Sequence, residues 1–177
     1  KFFKMYWSKN QIKVCFLCIF AFNSIPYSQQ LLADSKSIVP TPKKKIALVI
    51  GNSDYKVGKL RNPVNDSKSI ESELRGVGFD VIRIENSSLR EMSDETREFG
   101  NKLRNADVAL YYYSGHGLQH NNTNWLLPVE SDIRREQDLE FEAYNLNRLL
   151  GEMEGGTKNR VNIVIIDACR TPPTFRS

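Results

Sequence analysis

The chain of 177 residues has the length of one ordinary domain, and its 40% hydrophobic content is enough for one substantial core. The formal charge of +4 resides in residues 1–28, which hold Lys1, Lys4, Lys9 and Lys13 and no acid; the remainder carries 21 basic and 21 acidic residues. A neutral domain lacks the clustered Lys and Arg excess that a broad nucleic-acid footprint requires, so nucleic acid is excluded as a partner.

Residues 1–28 have the layout of a secretory signal peptide: a lysine-bearing start, an apolar block from Val14 to Phe22, and a polar, small-residue exit around Ser24 to Ser28. The block is shorter than the about 20 apolar residues a spanning helix needs. Export, periplasmic or extracellular, with transient membrane targeting by this segment, is the expectation. An uncleaved membrane anchor and translated upstream sequence in a cytoplasmic protein are the alternatives. Cys15 and Cys18 have CxxC spacing but lie inside the apolar block with no second pair nearby, so they belong to the targeting segment and not to a metal or redox site. Cys169 is then the one cysteine of the mature chain. Residues 29–44, with two prolines and a lysine run, read as a linker to a domain over 45–177.

Strands and helices then alternate. Ile46 to Ile50 is an apolar run of strand length ended by Gly51-Asn52. Asn62-Pro63 starts a helix carrying Val64, Ser67, Ile70, Leu74 and Val77, which Gly76 and Gly78 stop. A second strand covers Phe79 to Ile84. Ser88 and Glu91 form a capping box for a helix with Leu89, Met92, Thr96, Phe99 and Leu103 on one stripe. Val108 to Tyr113 is the third strand, with Tyr111, Tyr112 and Tyr113 in structural roles. An Asn-rich loop leads to a short edge strand over Trp125 to Val129, where Pro128 is tolerated. The acidic stretch Glu130 to Glu142 lacks an EF-hand spacing and reads as a solvated loop. A third helix carries Leu146, Leu149, Leu150 and Met153, and Val161 to Asp167 is the fourth main strand. This alternation specifies an α/β fold, a mostly parallel sheet with right-handed crossovers between two helical layers. The first strand leads into GNSDYKVGKL, which has neither a GxGxxG nor a phosphate-loop lysine, so a nucleotide site is not expected.

Two strands end at chemically able side chains: ALYYYSGHG at His116 and IVIIDACR at Cys169. Neighbouring parallel strands deliver such residues to one crevice, since they run about 4.8 Å apart. An imidazole and a thiol brought together there suggest a cysteine peptidase. Cys169 would attack a peptide carbonyl as thiolate, and His116 would manage the proton and protonate the departing amine. His120 lies beyond the glycines in a polar loop and reads as solvent-exposed. Asp54 reads as a turn residue and Arg61 as solvated.

The chain resembles the caspase and metacaspase clan of cysteine peptidases, most closely the bacterial caspase-like (orthocaspase) group. The matching blocks are IALVIGNSDY (46–55), LRNPVNDS (60–67), LYYYSGHGLQ (110–119), WLLPVE (125–130) and IVIIDACR (163–170). Cys169 follows His116 by 53 residues, near the roughly 50 noted for caspases. The resemblance implies a three-layer α/β/α sandwich of flavodoxin-like strand order. It also implies an oxyanion hole from the backbone N–H groups of Gly117 and Cys169, and a primary pocket lined by Asp66 and Asp167. Two carboxylates there would pair with Arg or Lys of a protein or peptide substrate, where true caspases use arginines to select Asp. No cofactor or metal is expected; calcium stands open by family analogy alone.

Two departures matter. Arg170-Thr171-Pro172-Pro173 follows the nucleophile in place of the glycine of the caspase signature. The sequence also stops at Ser177, eight residues past Cys169, whereas family members continue into a small-subunit-like region that completes the groove. A large-subunit portion lacking that partner is the expectation. The alternative to a peptidase is a caspase-fold scaffold or binding module without turnover, because fold does not dictate function.

Overall fold

The computed structural model describes residues 43–155 and 160–168. Residues 1–28, most of the linker and Cys15, Cys18 and Cys169 lie outside the described residues. Among the described residues, no helix is long and apolar enough to cross a membrane.

Four parallel strands form the central sheet: β1 (Lys45–Gly51), β2 (Phe79–Glu85), β3 (Val108–Ser114) and β7 (Val161–Asp167), in the order β2-β1-β3-β7. This is the flavodoxin-like order, with β1 and β3 in the middle. Continuous apolar runs such as Ile46–Ile50 suit strands covered on both faces, and those five residues are all buried. On one face Ala47, Val49, Leu110 and Tyr112 pack against Ile70 and Leu74 of helix α1 (Pro63–Gly76). On the other, Ile46, Leu48, Ile50, Tyr111 and Tyr113 meet Met92 and Phe99 of α2 (Leu89–Lys102) and Leu149 and Met153 of α4 (Leu146–Glu154). The result is the expected three-layer α/β/α sandwich.

Local chemistry sets the helix ends. Ser88 and Glu91 form the reciprocal capping box, each satisfying a backbone N–H that the first turn of α2 leaves unpaired. α1 has Pro63 in its first turn and no side-chain cap from Asn62; Ser53 Oγ instead accepts from the Val64 N–H at 3.1 Å. β1 and α1 approach closely. A Cβ on Gly51 would lie 2.5 Å from both the Pro63 carbonyl oxygen and Ser67 Oγ, so only glycine fits. Gly51→Ala is expected to destabilise the domain by about 1–3 kcal/mol through overpacking, read as a lower denaturation midpoint at unchanged slope.

A second sheet differs from the single edge strand expected around WLLPV. β4 (Gly117–His120) and β5 (Thr123–Leu126) form an antiparallel hairpin, and β6 (Tyr144–Asn145) pairs with β5, leaving Pro128 beyond the strand. The turn residues Asn121 and Asn122 have φ of 47° and 60°, the left-handed pair a type I′ hairpin turn needs, which asparagine tolerates. The acidic stretch is also more ordered than the expected solvated loop. It contains a 3₁₀ turn at Glu136–Asp138 and the short helix α3 (Leu139–Glu142), and Leu139 is buried with Leu118 and Trp125.

Candidate active site

β3 delivers His116 to the carboxyl edge of the sheet. Ser114 is the register partner of Asp167, and the Gly115 N–H continues the pairing to the Asp167 carbonyl at 3.3 Å. The β3 and β7 endings are therefore adjacent, as expected from the two apolar runs. Cys169 falls just beyond Ala168, the last described residue.

The half-buried His116 is held from several directions. Its N–H donates to the Tyr55 hydroxyl at 2.8 Å. Its carbonyl accepts from the Tyr113 hydroxyl at 2.7 Å and from the Leu127 N–H at 3.0 Å. Ring Nε2 stands 2.6 Å from the Gly58 carbonyl oxygen. A carbonyl only accepts, so Nε2 carries the proton and Nδ1 keeps the lone pair of the neutral ring. Gly58 has φ +73°, the left-handed conformation that glycine adopts freely, and a Cβ there would sit 3.2 Å from Nε2.

The loop that carries Tyr55 and Gly58 is itself tied down. Asn86, at φ 50°, accepts from the N–H groups of Ser53 and Asp54 at 2.9 Å each. Asn52 accepts from the N–H and hydroxyl of Ser87 and donates to the Leu127 carbonyl at 3.2 Å. Asp54 pairs with Lys59 across the loop, in keeping with its expected turn role, and Arg61 is exposed.

Gly117 opens β4 opposite Leu126. Because His116 and Leu127 form the hydrogen-bonded end of that ladder, alternation turns the Gly117 N–H away from β5. Asp66, half-buried in the first turn of α1, and the exposed Asp167 lie on the α1 face of the sheet. Tyr112 shares that face. Burial pushes its phenol above the ordinary range, a bond to the Ser114 hydroxyl opposes this, and the charges of Asp167 and Asp66 raise it further. Both carboxylates thus act on one side chain from two different elements.

His120 corrects one expectation. Its side chain is only 22% exposed, with Nε2 2.7 Å from Glu136 Oε1, so it belongs to the ordered β4 hairpin and not to a solvated loop. The residues without a role in the sequence reading are Tyr55, Gly58 and Asn86. Tyr55 stood inside the recognisable IALVIGNSDY block, but nothing in its spacing signals contact with a histidine 61 residues away.

A parallel sheet of flavodoxin-like order between two helical layers, with a histidine just past the end of a central strand, is the architecture of the caspase-like class. The family model described as Caspase domain matches residues 44–176, and the chain belongs to that family. It is 30% identical over 132 residues to mucosa-associated lymphoid tissue lymphoma translocation protein 1 of Homo sapiens, covering 74% of this chain and 16% of that protein. It is 24% identical over 142 residues to caspase a of Danio rerio, covering 72% and 34% respectively. Among solved structures, protein GSU0716 from Geobacter sulfurreducens matches with a TM-score of 0.58 at 18% identity, over 73% of this chain and 52% of that one, a likeness of fold. The chain spans well under half of the curated relatives it matches. Membership supports a cysteine-protease-like function in general.

Proposed function

We propose that this domain is a cysteine endopeptidase that cleaves after Arg or Lys through Cys169 and His116. The observation that carries the reading is the Nε2 contact to Gly58, which leaves Nδ1 as the basic nitrogen at the edge where β3 and β7 end side by side. In this reading Nδ1 takes the Cys169 thiol proton, and the thiolate adds to the scissile carbonyl to give a tetrahedral oxyanion. The N–H groups of Gly117 and Cys169 donate to that oxygen. Collapse breaks the C–N bond, and the imidazolium gives its proton to the departing amine, leaving a thioester. Water, deprotonated by the same imidazole, then hydrolyses the thioester and restores the thiol.

Asp66 and Asp167 lie on the same face of the sheet and both add negative charge at Tyr112, which supports a primary pocket suited to a basic side chain. The test is hydrolysis of fluorogenic peptides ending in Arg, Lys or Asp by the protein with its native flanking sequence, beside Cys169→Ala. Cleavage after Arg or Lys that vanishes in the variant supports the reading. Folded protein that cleaves none of the peptides, with or without calcium, leaves the scaffold role.

A further inference from the structure

We infer that Tyr55 is a positioning residue for His116, fixing both the placement of the imidazole and the nitrogen that carries its proton. The inference rests on the proposed Cys169–His116 peptidase reading. Tyr55 is 4% exposed and touches His116 twice: its hydroxyl accepts the backbone N–H at 2.8 Å, and its ring lies 4.4 Å from the imidazole centroid at an interplanar angle of 54°.

The hydroxyl is fixed in turn. It donates to the Leu127 carbonyl at 3.0 Å and lies 3.2 Å from the Tyr113 hydroxyl, which itself reaches the His116 and Leu127 carbonyls at 2.7 and 2.9 Å. Burial pushes both phenols above their ordinary range, so each stays protonated and able to donate. Two phenols thereby clamp the backbone of His116 on its nitrogen and its carbonyl side. A Cβ at residue 115 would stand 2.5 Å from the Tyr55 hydroxyl and 2.7 Å from that of Tyr113, so Gly115 makes the clamp possible.

The consequence for chemistry is rotational. The Gly58 carbonyl selects Nε2 only while the ring is held at the correct angle about its own bonds. The Tyr55 ring, 4.4 Å away and tilted by 54°, supplies that restraint on one side. With the Tyr55 ring gone, the imidazole can turn, the Gly58 bond loosens, and the proton distributes over both nitrogens. Tyr55 is buried and presents almost no surface to a substrate, so its loss is expected to act on turnover and not on substrate binding.

The test compares Tyr55→Phe, which keeps the ring and removes the hydroxyl, with Tyr55→Leu, which removes both. Nitrogen-15 spectra of the imidazole, assigned by a His120→Gln background that removes the only other histidine, read the tautomer directly. The expected result is a neutral wild-type ring protonated on Nε2, a small movement toward mixed tautomers in Tyr55→Phe, and a large one in Tyr55→Leu. On a peptide substrate, kcat is expected to fall about tenfold and about a hundredfold respectively, with KM within twofold. If Tyr55→Leu does not fold, the near-isosteric phenylalanine variant decides. Folded variants with the wild-type tautomer spectrum overturn the inference, as do equal losses in kcat and folded fraction. A wild-type protein that cleaves nothing would remove the peptidase reading, while the imidazole spectra would still decide the role of Tyr55.

Discussion

Replacing His116 by alanine is expected to lower kcat/KM on a basic peptide by about 10³-fold, within the 10²–10⁴ range of a positioned general acid–base group. Two functions are lost at once: the base that generates the thiolate and the acid that releases the amine. Neither Gly58 nor Tyr55 can substitute, since the first offers a carbonyl and the second a phenol kept protonated by burial. The fold should survive, because His116 is half-buried at a strand end and its backbone bonds to Tyr55, Tyr113 and Leu127 do not use its ring. Steady-state kinetics checked against thermal unfolding separate the two effects. A variant with unchanged melting and near-wild-type turnover would place the proton transfer elsewhere.

The second large effect concerns the acids. Asp66→Asn and Asp167→Asn are each expected to lower kcat/KM for cleavage after Arg by roughly 10²-fold, the scale of one charge-assisted hydrogen bond lost in a partly desolvated pocket. Asparagine keeps the shape and removes the charge, so a peptide ending in citrulline, the neutral isostere of arginine, should be nearly indifferent to either change. The double variant should lose less than the product of the single losses, because both carboxylates act on one guanidinium and groups sharing a partner are not additive. Equal losses on the arginine and citrulline peptides would mean that the acids support structure and not selectivity.

Much of the fold was legible because one physical pattern dominates each element. Ile46–Ile50 and Ile163–Ile166 are uninterrupted apolar runs within strands, and Met92, Thr96 and Phe99 recur at helical spacing behind a capping box. The β4–β5 hairpin is not legible because its signal is two asparagines in left-handed conformation, a choice that loops also make, and because the strands are only four residues each. The acidic stretch reads as solvated because its charges are many and its apolar residues few, although Leu139 and Ile133 anchor it to Trp125 and Leu118.

For the site, His116 and Cys169 stand out together, as the ends of two strand-length apolar runs inside the matching blocks; a lone histidine at a strand end is usually a satisfied polar residue. Asp66 and Asp167 come from the resemblance, and their common face follows from α1 packing on the side of the sheet that carries Tyr112, Ile163 and Ile165. Tyr55 and Gly58 were not legible at all. Their contacts with His116 depend on a loop shape fixed by Asn86 just past β2 and by Asn52, which accepts from the Ser87 N–H, and no local pattern encodes a contact of that sequence separation.

The most direct measurement is intact-mass and peptide-mapping analysis after brief exposure to an arginine-ending peptide acyloxymethyl ketone, for the wild type and His116→Ala side by side. The expected result is one adduct on Cys169 in the wild type, formed much faster than in His116→Ala and slowed by a competing arginine peptide. No adduct on Cys169 in folded protein, or labelling at the same rate without His116, would contradict a Cys169–His116 catalytic pair.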